Sequence, residues 1–193
     1  MLKIQLITDA SVEPVTVAEV KNHLRVTDNT EDAIVSGLIT GARKYVEQIL
    51  RRSLISQTFA YYLDDFPNRE FIQLPFPPLL WVDFVKYYDQ TGVLTTMPTD
   101  DYQVDNKATP GRITLKDDAT YPTVELDKVN AVQIQYQAGY GNTADDVPMP
   151  IRLVIIQLVS HWFENREPFS TQQMYTIPKT LDVILAPYRF MRV

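Results

Sequence analysis

The sequence has 193 residues, of which 45% are apolar and 22% are charged, a composition typical of a globular protein with its own hydrophobic core. It contains no cysteine, which excludes disulfides and thiolate metal sites, and its formal net charge of −6 argues against a dedicated nucleic-acid binder, because such proteins neutralise phosphates with Lys and Arg. No apolar run approaches the ~20 residues of a membrane-spanning helix, and the N-terminus lacks the pattern of a signal peptide, so we expect no membrane contact.

The first 52 residues have the periodicity of helices. Thr16 and Glu19 form a capping-box pattern, which predicts a short helix that ends near Leu24. A polar break over residues 27–30 supplies the next N-cap, and a long helix follows. Its apolar residues recur every three or four positions, which predicts one broad buried stripe. The stripe comprises Ile34, Val35, Leu38, Ile39, Ala42, Tyr45, Val46, Ile49 and Leu50.

Between about Ser53 and Tyr140 the period changes to two, which is typical of β-strands. The segments rich in β-branched and aromatic residues are 54–63, 71–74, 82–89, 102–105, 112–115 and 131–136. Turns are predicted at Gln90–Gly92 and Pro110–Gly111. Six or seven short strands with regular turns predict a small antiparallel β-sandwich or barrel.

Helical periodicity returns after a polar linker over residues 142–147. Pro148 and Pro150 suit the first turn of a helix, and an apolar face continues to Phe163. A last short helix is predicted over residues 181–186.

Helical segments at both ends with a strand-rich block between them predict an α+β fold. In this interpretation, residues 1–52 and 142–193 together form a helical base domain, and residues 53–141 form an inserted β domain. The domain boundaries lie where the period of the apolar pattern changes.

Two histidines are weighed as metal ligands. His161 and Glu164 lie three residues apart on one face of a helix, a spacing that suits two ligands. A catalytic metal normally has three protein ligands, however, and His23 is the only other histidine in the sequence. A partly buried histidine beside a solvated glutamate is the preferred interpretation, and no metal or other cofactor is predicted.

Carboxylate pairs offer little evidence for an enzyme. Four of them fall in loops or at strand ends: Asp64–Asp65, Asp100–Asp101, Asp117–Asp118 and Asp145–Asp146. Paired carboxylates do acid–base chemistry only when their environments separate the two pKa values, and loop aspartates usually cap turns instead. We therefore expect no catalytic activity. A small hydrolase or sugar-binding module that uses these carboxylates is kept as an alternative.

Four cations crowd the C-terminal half of the long N-terminal helix. Arg43, Lys44, Arg51 and Arg52 are candidates for side chains that face DNA in a channel. The competing and preferred interpretation is a solvated helix flank, because positive charge near a helix C-terminus stabilises the helix dipole.

Several segments, in the same order and across nearly the whole chain, resemble the head–tail connector proteins of long-tailed phages, in the branch with an inserted β domain. The segments that carry the resemblance are Pro14–Val26, Glu31–Asp32, Tyr45–Glu47, Leu54–Phe59, Leu74–Leu79, Pro110–Ile113, Ala138–Gly141, His161–Glu167 and Pro187–Arg189. Each segment alone is a short structural signature, and it is their ordered combination that indicates the family.

The resemblance implies an assembly role without a cofactor. The resemblance implies a closed ring of twelve subunits beneath the portal protein, which meets the next neck or tail-completion protein on the other side. The ring extends the channel, so DNA passes through without specific binding. The protein would be located in the neck of the virion, after assembly in the host cytoplasm. Another virion or tail structural protein with a helical base and a β module is the alternative.

The C-terminal tail has the composition of a docking segment, because it combines apolar anchors with aromatic residues and arginines. The candidate residues for docking to the portal are Leu181, Ile184, Leu185, Tyr188, Arg189 and Phe190. A last helix that simply packs into the helical base is an equally weighted interpretation.

Overall fold

The computed structural model describes residues 3–125, 127–165 and 179–190. The chain divides into two compact units. The β unit consists of Met1–Ala10 and Ser56–Tyr140, and the helical unit consists of Ser11–Ile55 and Gly141–Val193. The combination of helices with antiparallel sheets confirms the α+β fold that the sequence predicts.

Eight strands form two antiparallel sheets in the described part of the β unit. The strands are β1 Lys3–Thr8, β2 Gln57–Leu63, β3 Phe71–Gln73, β4 Leu79–Tyr88, β5 Leu94–Thr96, β6 Tyr102–Asp105, β7 Arg112–Leu115 and β8 Val132–Ala138. The larger sheet has the order β1-β2-β8-β4-β5, and the smaller sheet has the order β3-β7-β6. One hydrophobic core contains residues of both sheets, such as Phe59 and Val85 of the larger and Ile72 and Ile113 of the smaller.

Buried and partly exposed side chains alternate along β8, and this alternation shows how the sequence builds the core. Val132, Ile134 and Tyr136 are buried, while the glutamines between them are partly exposed. The Tyr136 hydroxyl donates to the carbonyl oxygen of Pro75 at 2.8 Å, which satisfies a polar group in an apolar environment. Burial raises the pKa of Tyr136 well above its ordinary value, so the phenol stays neutral.

The first ten residues correct the boundary predicted for the helical base. Residues 3–8 form the edge strand β1 instead of belonging to a helical block, and β1 pairs with β2 in the register Ile4↔Tyr61. The physical reason is that Ile4 packs against the core of the β unit, where a strand gains both burial and a partner ladder. At the other boundary, Leu54 and Ile55 are fully buried in the helical unit, and the strand begins only at Gln57.

Four α-helices lie in the described part of the helical unit: α1 Val17–Leu24, α2 Asp32–Leu50, α3 Met149–Glu164 and α4 Lys179–Leu185. The predicted capping box is confirmed, because the Glu19 N–H donates to the Thr16 hydroxyl at 3.2 Å and the Thr16 N–H donates to the Glu19 carboxylate at 2.7 Å. The core of this unit includes Val20, Val35, Ile39, Val46, Leu50, Ile151, Ile155 and Val159. None of the described helices is both long and apolar enough to cross a bilayer.

Candidate functional site

Arg43 is buried, which corrects its candidate role as a cation that faces a channel. The residue is only 1% exposed. Its Nε atom lies 2.8 Å from Glu13 Oε2, and its Nη1 atom lies 3.1 Å from Glu47 Oε2. The reason is its place on α2, because position 43 follows Ile39 by four residues and precedes Val46 by three, so it shares their buried face. The charge is therefore neutralised inside the helical unit.

The two glutamates extend this ion cluster to other parts of the helical unit. Glu13 also accepts a hydrogen bond from the Thr40 hydroxyl at 2.8 Å, and Glu47 accepts one from the backbone N–H of Leu54 at 2.9 Å. We call Glu13, Arg43 and Glu47 the buried ion cluster. It ties the segment before α1 and the segment after α2 to the middle of α2.

The other three cations of α2 and its end have different environments. Lys44 and Arg51 are exposed, and Arg51 adopts a left-handed backbone conformation (φ 53°) whose N–H caps the helix at the Glu47 carbonyl. Arg52 is half-buried, and its Nε donates to the carbonyl oxygen of Tyr188. Arg52 therefore holds the C-terminal segment in place, and Lys44 and Arg51 are the members of the set that face solvent.

The C-terminal segment, residues 179–190, packs into its own unit. Leu181 and Leu185 are 4% and 0% exposed, which corrects their candidate role as free docking anchors. They lie one helical turn apart on the face of α4 that contacts α3, so their burial holds α4 in the helical unit. The backbone N–H of Phe190 also donates to the carbonyl oxygen of Leu50 at 2.9 Å.

The rest of the C-terminal segment is accessible. Ile184, Tyr188 and Phe190 are half-buried, and Arg189 is exposed and forms a 2.7 Å ion pair with Asp182. Val183 is 72% exposed. Val183 lies between Leu181 and Leu185 on the helix, and this spacing is the sequence signal that places it on the opposite, exposed face.

Carboxylates of the predicted acidic pairs serve as turn and strand caps. Asp64 accepts hydrogen bonds from the Asn130 N–H at 2.9 Å and from the Lys3 ammonium at 2.6 Å, and these two donors lower the pKa of Asp64. The Thr143 N–H and hydroxyl likewise lower the pKa of Asp146. A general acid needs a raised pKa, so these carboxylates are unsuited to that role. Across the described ranges, no group of three or more His, Asp or Glu residues is arranged to hold a metal ion.

Three solved structures of gene transfer agent particles contain chains with this fold. A chain in the neck of an empty particle, computed with C6 symmetry, is 22% identical, covers 99% of this chain and 97% of its own length, and superposes with a TM-score of 0.82. A chain in the virion of the native particle is 20% identical, with coverages of 98% and 96% and a TM-score of 0.78. A chain in the native neck, computed with C12 symmetry, is 21% identical, with coverages of 100% and 97% and a TM-score of 0.76.

Sequence comparison identifies the family. No curated protein matches the chain. The family model of head completion proteins, in contrast, matches residues 13–191, which include the buried ion cluster, the β unit from β2 onward and the whole C-terminal segment. This chain is therefore a member of the head completion protein family.

Proposed function

We propose that the protein is a structural subunit of the phage neck, which forms a ring beneath the portal, extends the DNA channel and joins the head to the tail. The observation that carries this proposal is the family match over residues 13–191. The shared fold with chains of neck particles over almost the whole length supports the same role. The protein would act by shape and contact, without catalysis or a cofactor.

Ring formation is supported by the symmetry of the similar particles, whose necks were computed with C6 and C12 symmetry. Copies related by a rotation axis contact each other through two different surfaces, and such heterologous contacts close into a ring when the rotation divides a full turn. A ring of twelve copies, assembled in the host cytoplasm and retained in the virion neck, is the form that we propose.

The accessible part of the C-terminal segment is the surface that we assign to the portal. Aromatic and arginine side chains dominate the energy of many protein interfaces, and Tyr188, Arg189 and Phe190 supply both kinds. Leu181 and Leu185 would hold α4 on its own unit, so that the accessible residues are presented from a rigid base. The next neck or tail-completion protein would bind elsewhere on the ring.

DNA would pass through the ring without being gripped. The net charge of −6 disfavours tight binding to phosphates, and the exposed Lys44 and Arg51 are the cations that we propose to face the channel. In a mobility-shift titration at physiological ionic strength, we expect no stable complex with duplex DNA. A complex with a steep salt dependence would contradict this view of the channel.

The decisive experiment mixes the purified chain with the portal protein of the same phage and measures the mass of the product by mass photometry. We expect the portal to gain a discrete ring of copies. Arg189→Ala should weaken this binding, whereas Arg112→Ala should not. The two arginines are matched, since each is partly exposed and paired with an aspartate, Asp182 or Asp105.

The same experiment separates the competing roles. Binding of the wild-type chain to a tail-tube protein and not to the portal would assign it to another virion structure. If Arg189→Ala and Arg112→Ala bind the portal equally well, the C-terminal segment is not the portal contact. The ring proposal is tested independently, by the mass of the complex between the wild-type chain and the portal.

A further inference from the structure

The C-terminal segment is anchored at the end of α2 on both sides of Arg189. The Nε atom of Arg52 donates a hydrogen bond to the carbonyl oxygen of Tyr188, although the two residues lie 136 positions apart in the sequence. The backbone N–H of Phe190 donates to the carbonyl oxygen of Leu50 at 2.9 Å. Because the residue before Arg189 and the residue after it are both held at the end of α2, the backbone of Arg189 is fixed on the helical unit.

Contacts within the segment orient the side chain of Arg189 as well. Its Nη2 atom lies 2.7 Å from Asp182 Oδ1 on α4, and its backbone N–H donates to the carbonyl oxygen of Ala186 at 3.3 Å. The Arg189 side chain is nevertheless 39% exposed. An arginine that is accessible and already ordered loses less conformational entropy when it binds a partner, so this arrangement favours binding.

Arg52 is itself held on a rigid base. The chain turns at Arg51, whose backbone is left-handed (φ 53°), and the Arg52 N–H then donates to the carbonyl oxygen of Glu47 at 3.2 Å. The Glu47 carboxylate accepts a hydrogen bond from the Leu54 N–H at 2.9 Å and pairs with Arg43 in the buried ion cluster. The backbone at Arg52 and just beyond it is therefore tied to one residue of α2, which fixes the point from which the Arg52 side chain extends.

The charge of Arg52 strengthens its contact with the segment. Among the residues that the structure describes, no carboxylate lies within ion-pair distance of Arg52, in contrast to Arg43 and Arg189. Its guanidinium donates to a backbone carbonyl instead, and a hydrogen bond from a charged donor is roughly twice as strong as one between neutral groups. Because the acceptor is a main-chain atom, the contact fixes the backbone beside Arg189 and not only a side chain.

We propose that Arg52 is a positioning residue for the portal contact: it holds the carbonyl group of Tyr188 so that Arg189 is presented in the orientation that the portal binds. This inference rests on the proposed function, which assigns the accessible part of the C-terminal segment to the portal. Arg52 acts through its neighbours, because it lies outside the segment and its half-buried side chain donates to the Tyr188 carbonyl. Binding to the portal therefore depends on a residue beyond the end of α2 as well as on the segment itself.

The hold of Arg52 on the segment is tested first in the free full-length chain, by NMR measurement of hydrogen exchange at the Phe190 amide. Arg52→Met is the informative variant, because methionine keeps an unbranched side chain but carries no donor. We expect exchange at Phe190 to become about tenfold faster, which corresponds to the loss of one charge-assisted hydrogen bond. The amide of Ile155, in the buried middle of α3, should exchange at nearly the wild-type rate, which distinguishes local release of the segment from global unfolding.

Two further variants separate the hydrogen bond from other effects of the substitution. Arg25→Met is the matched control, because Arg25 is an exposed arginine at the C-cap of α1 and, among the described residues, forms no hydrogen bond with the C-terminal segment. It should leave exchange at Phe190 unchanged. Arg52→Gln retains a donor, since the amide nitrogen of glutamine is as many bonds from the backbone as the Nε of arginine. Its exchange rate should lie between those of the wild type and Arg52→Met.

Binding to the portal is then measured for the same variants. We expect Arg52→Met to weaken binding about tenfold and Arg52→Gln to weaken it less, whereas Arg25→Met should bind as the wild type does. A double-mutant cycle with Arg189→Ala tests whether Arg52 acts through Arg189. The loss caused by Arg189→Ala should be smaller once Arg52→Met has released the segment, whereas a residue that merely stabilised the helical unit would give losses that add.

Four results would overturn the positioning role: wild-type exchange at Phe190 in Arg52→Met, equal effects of Arg52→Met and Arg52→Gln, additive losses in the cycle, or tighter portal binding by Arg52→Met. The last result would mean that the contact restrains the segment instead of presenting it. If the wild-type chain binds the portal and the Arg52 variants bind equally well, the positioning role alone is refuted. If the wild-type chain does not bind the portal, the proposed function fails and the portal role of Arg52 fails with it, so the two failures are distinguishable.

Discussion

Arg43 and Glu13, thirty residues apart in the sequence, form a buried ion pair with a distance of 2.8 Å between Nε and Oε2. The side chain of Arg43 is only 2% exposed, and those of Glu13 and Glu47 are 26% and 12% exposed. Replacing Arg43 by Ala would leave two partly buried carboxylates without the cation that each of them contacts. We expect a loss of about 3 kcal/mol in the free energy of unfolding, measured by urea titration.

The control for this prediction is the next residue in the chain. Lys44 is exposed, so Lys44→Ala should change the free energy of unfolding by less than about 0.5 kcal/mol. Comparable losses for the two variants would mean that the buried ion cluster does not stabilise the helical unit, and that Arg43 is no more important than a solvated cation.

Packing of α4 is tested by two apolar residues on opposite faces of the same helix. Leu185 is fully buried, and Leu185→Ala removes side-chain atoms from a packed core, so we expect a loss of about 2–5 kcal/mol. Val183 is 72% exposed, and Val183→Ala should be neutral within about 0.5 kcal/mol. Both values are read from chemical denaturation monitored by circular dichroism. Similar small losses for the two variants would show that α4 is detached from its unit in solution.

The helices could be predicted from the sequence because their signals are local. The capping box at Thr16 and the stripe of α2 depend on residues three or four positions apart. The structure has the capping box and buries Val35, Ile39, Ala42, Val46 and Leu50 of the stripe, whereas Ile34 is 51% exposed. Strand β1 could not be predicted in the same way. Six residues from Lys3 to Thr8 are too few to establish a period, and what makes them a strand is the distant β2, more than fifty residues along the chain.

The candidate site was harder to predict because charge and composition do not reveal burial. Its charge groups Arg43 with the exposed cations Lys44 and Arg51, although its spacing from Ile39 and Val46 places it on the apolar face of α2. The sequence does not separate the buried Leu181 and Leu185 from their accessible neighbours, because a seven-residue helix shows too little pattern to reveal which face is covered. The pocket that His23 and His161 line depends on α1 and α3, which are distant in sequence and meet only in the folded unit.

Gly111 and Gly37 form a matched pair for testing close packing. A Cβ atom at Gly111 would overlap the side chain of Leu79, which is buried in the core of the β unit, whereas a Cβ at Gly37 on α2 would meet no atom within 4 Å. We expect Gly111→Ala to lower the free energy of unfolding by about 1–3 kcal/mol through overpacking. Gly37→Ala should raise it by about 0.5–1 kcal/mol, because alanine loses less backbone entropy in a helix. Thermal unfolding of both variants shows whether each substitution stabilises or destabilises the protein. Stabilisation by Gly111→Ala would contradict the close contact between Gly111 and Leu79 of β4.

Asp89 makes the turn between β4 and β5 sensitive to acid. Its carboxylate accepts hydrogen bonds from the Thr91 hydroxyl at 2.6 Å and from the Val93 N–H at 3.0 Å, and these donors lower the pKa of Asp89 below its ordinary value of 3.8. A lowered pKa in the folded state means that the carboxylate stabilises folding above about pH 4 and that this contribution is lost as the pH falls through the folded pKa. The wild type should therefore lose more stability between pH 6 and pH 3 than Asp89→Asn does, as measured by urea unfolding at each pH. Identical profiles for the wild type and Asp89→Asn would refute a role for Asp89 in holding the turn.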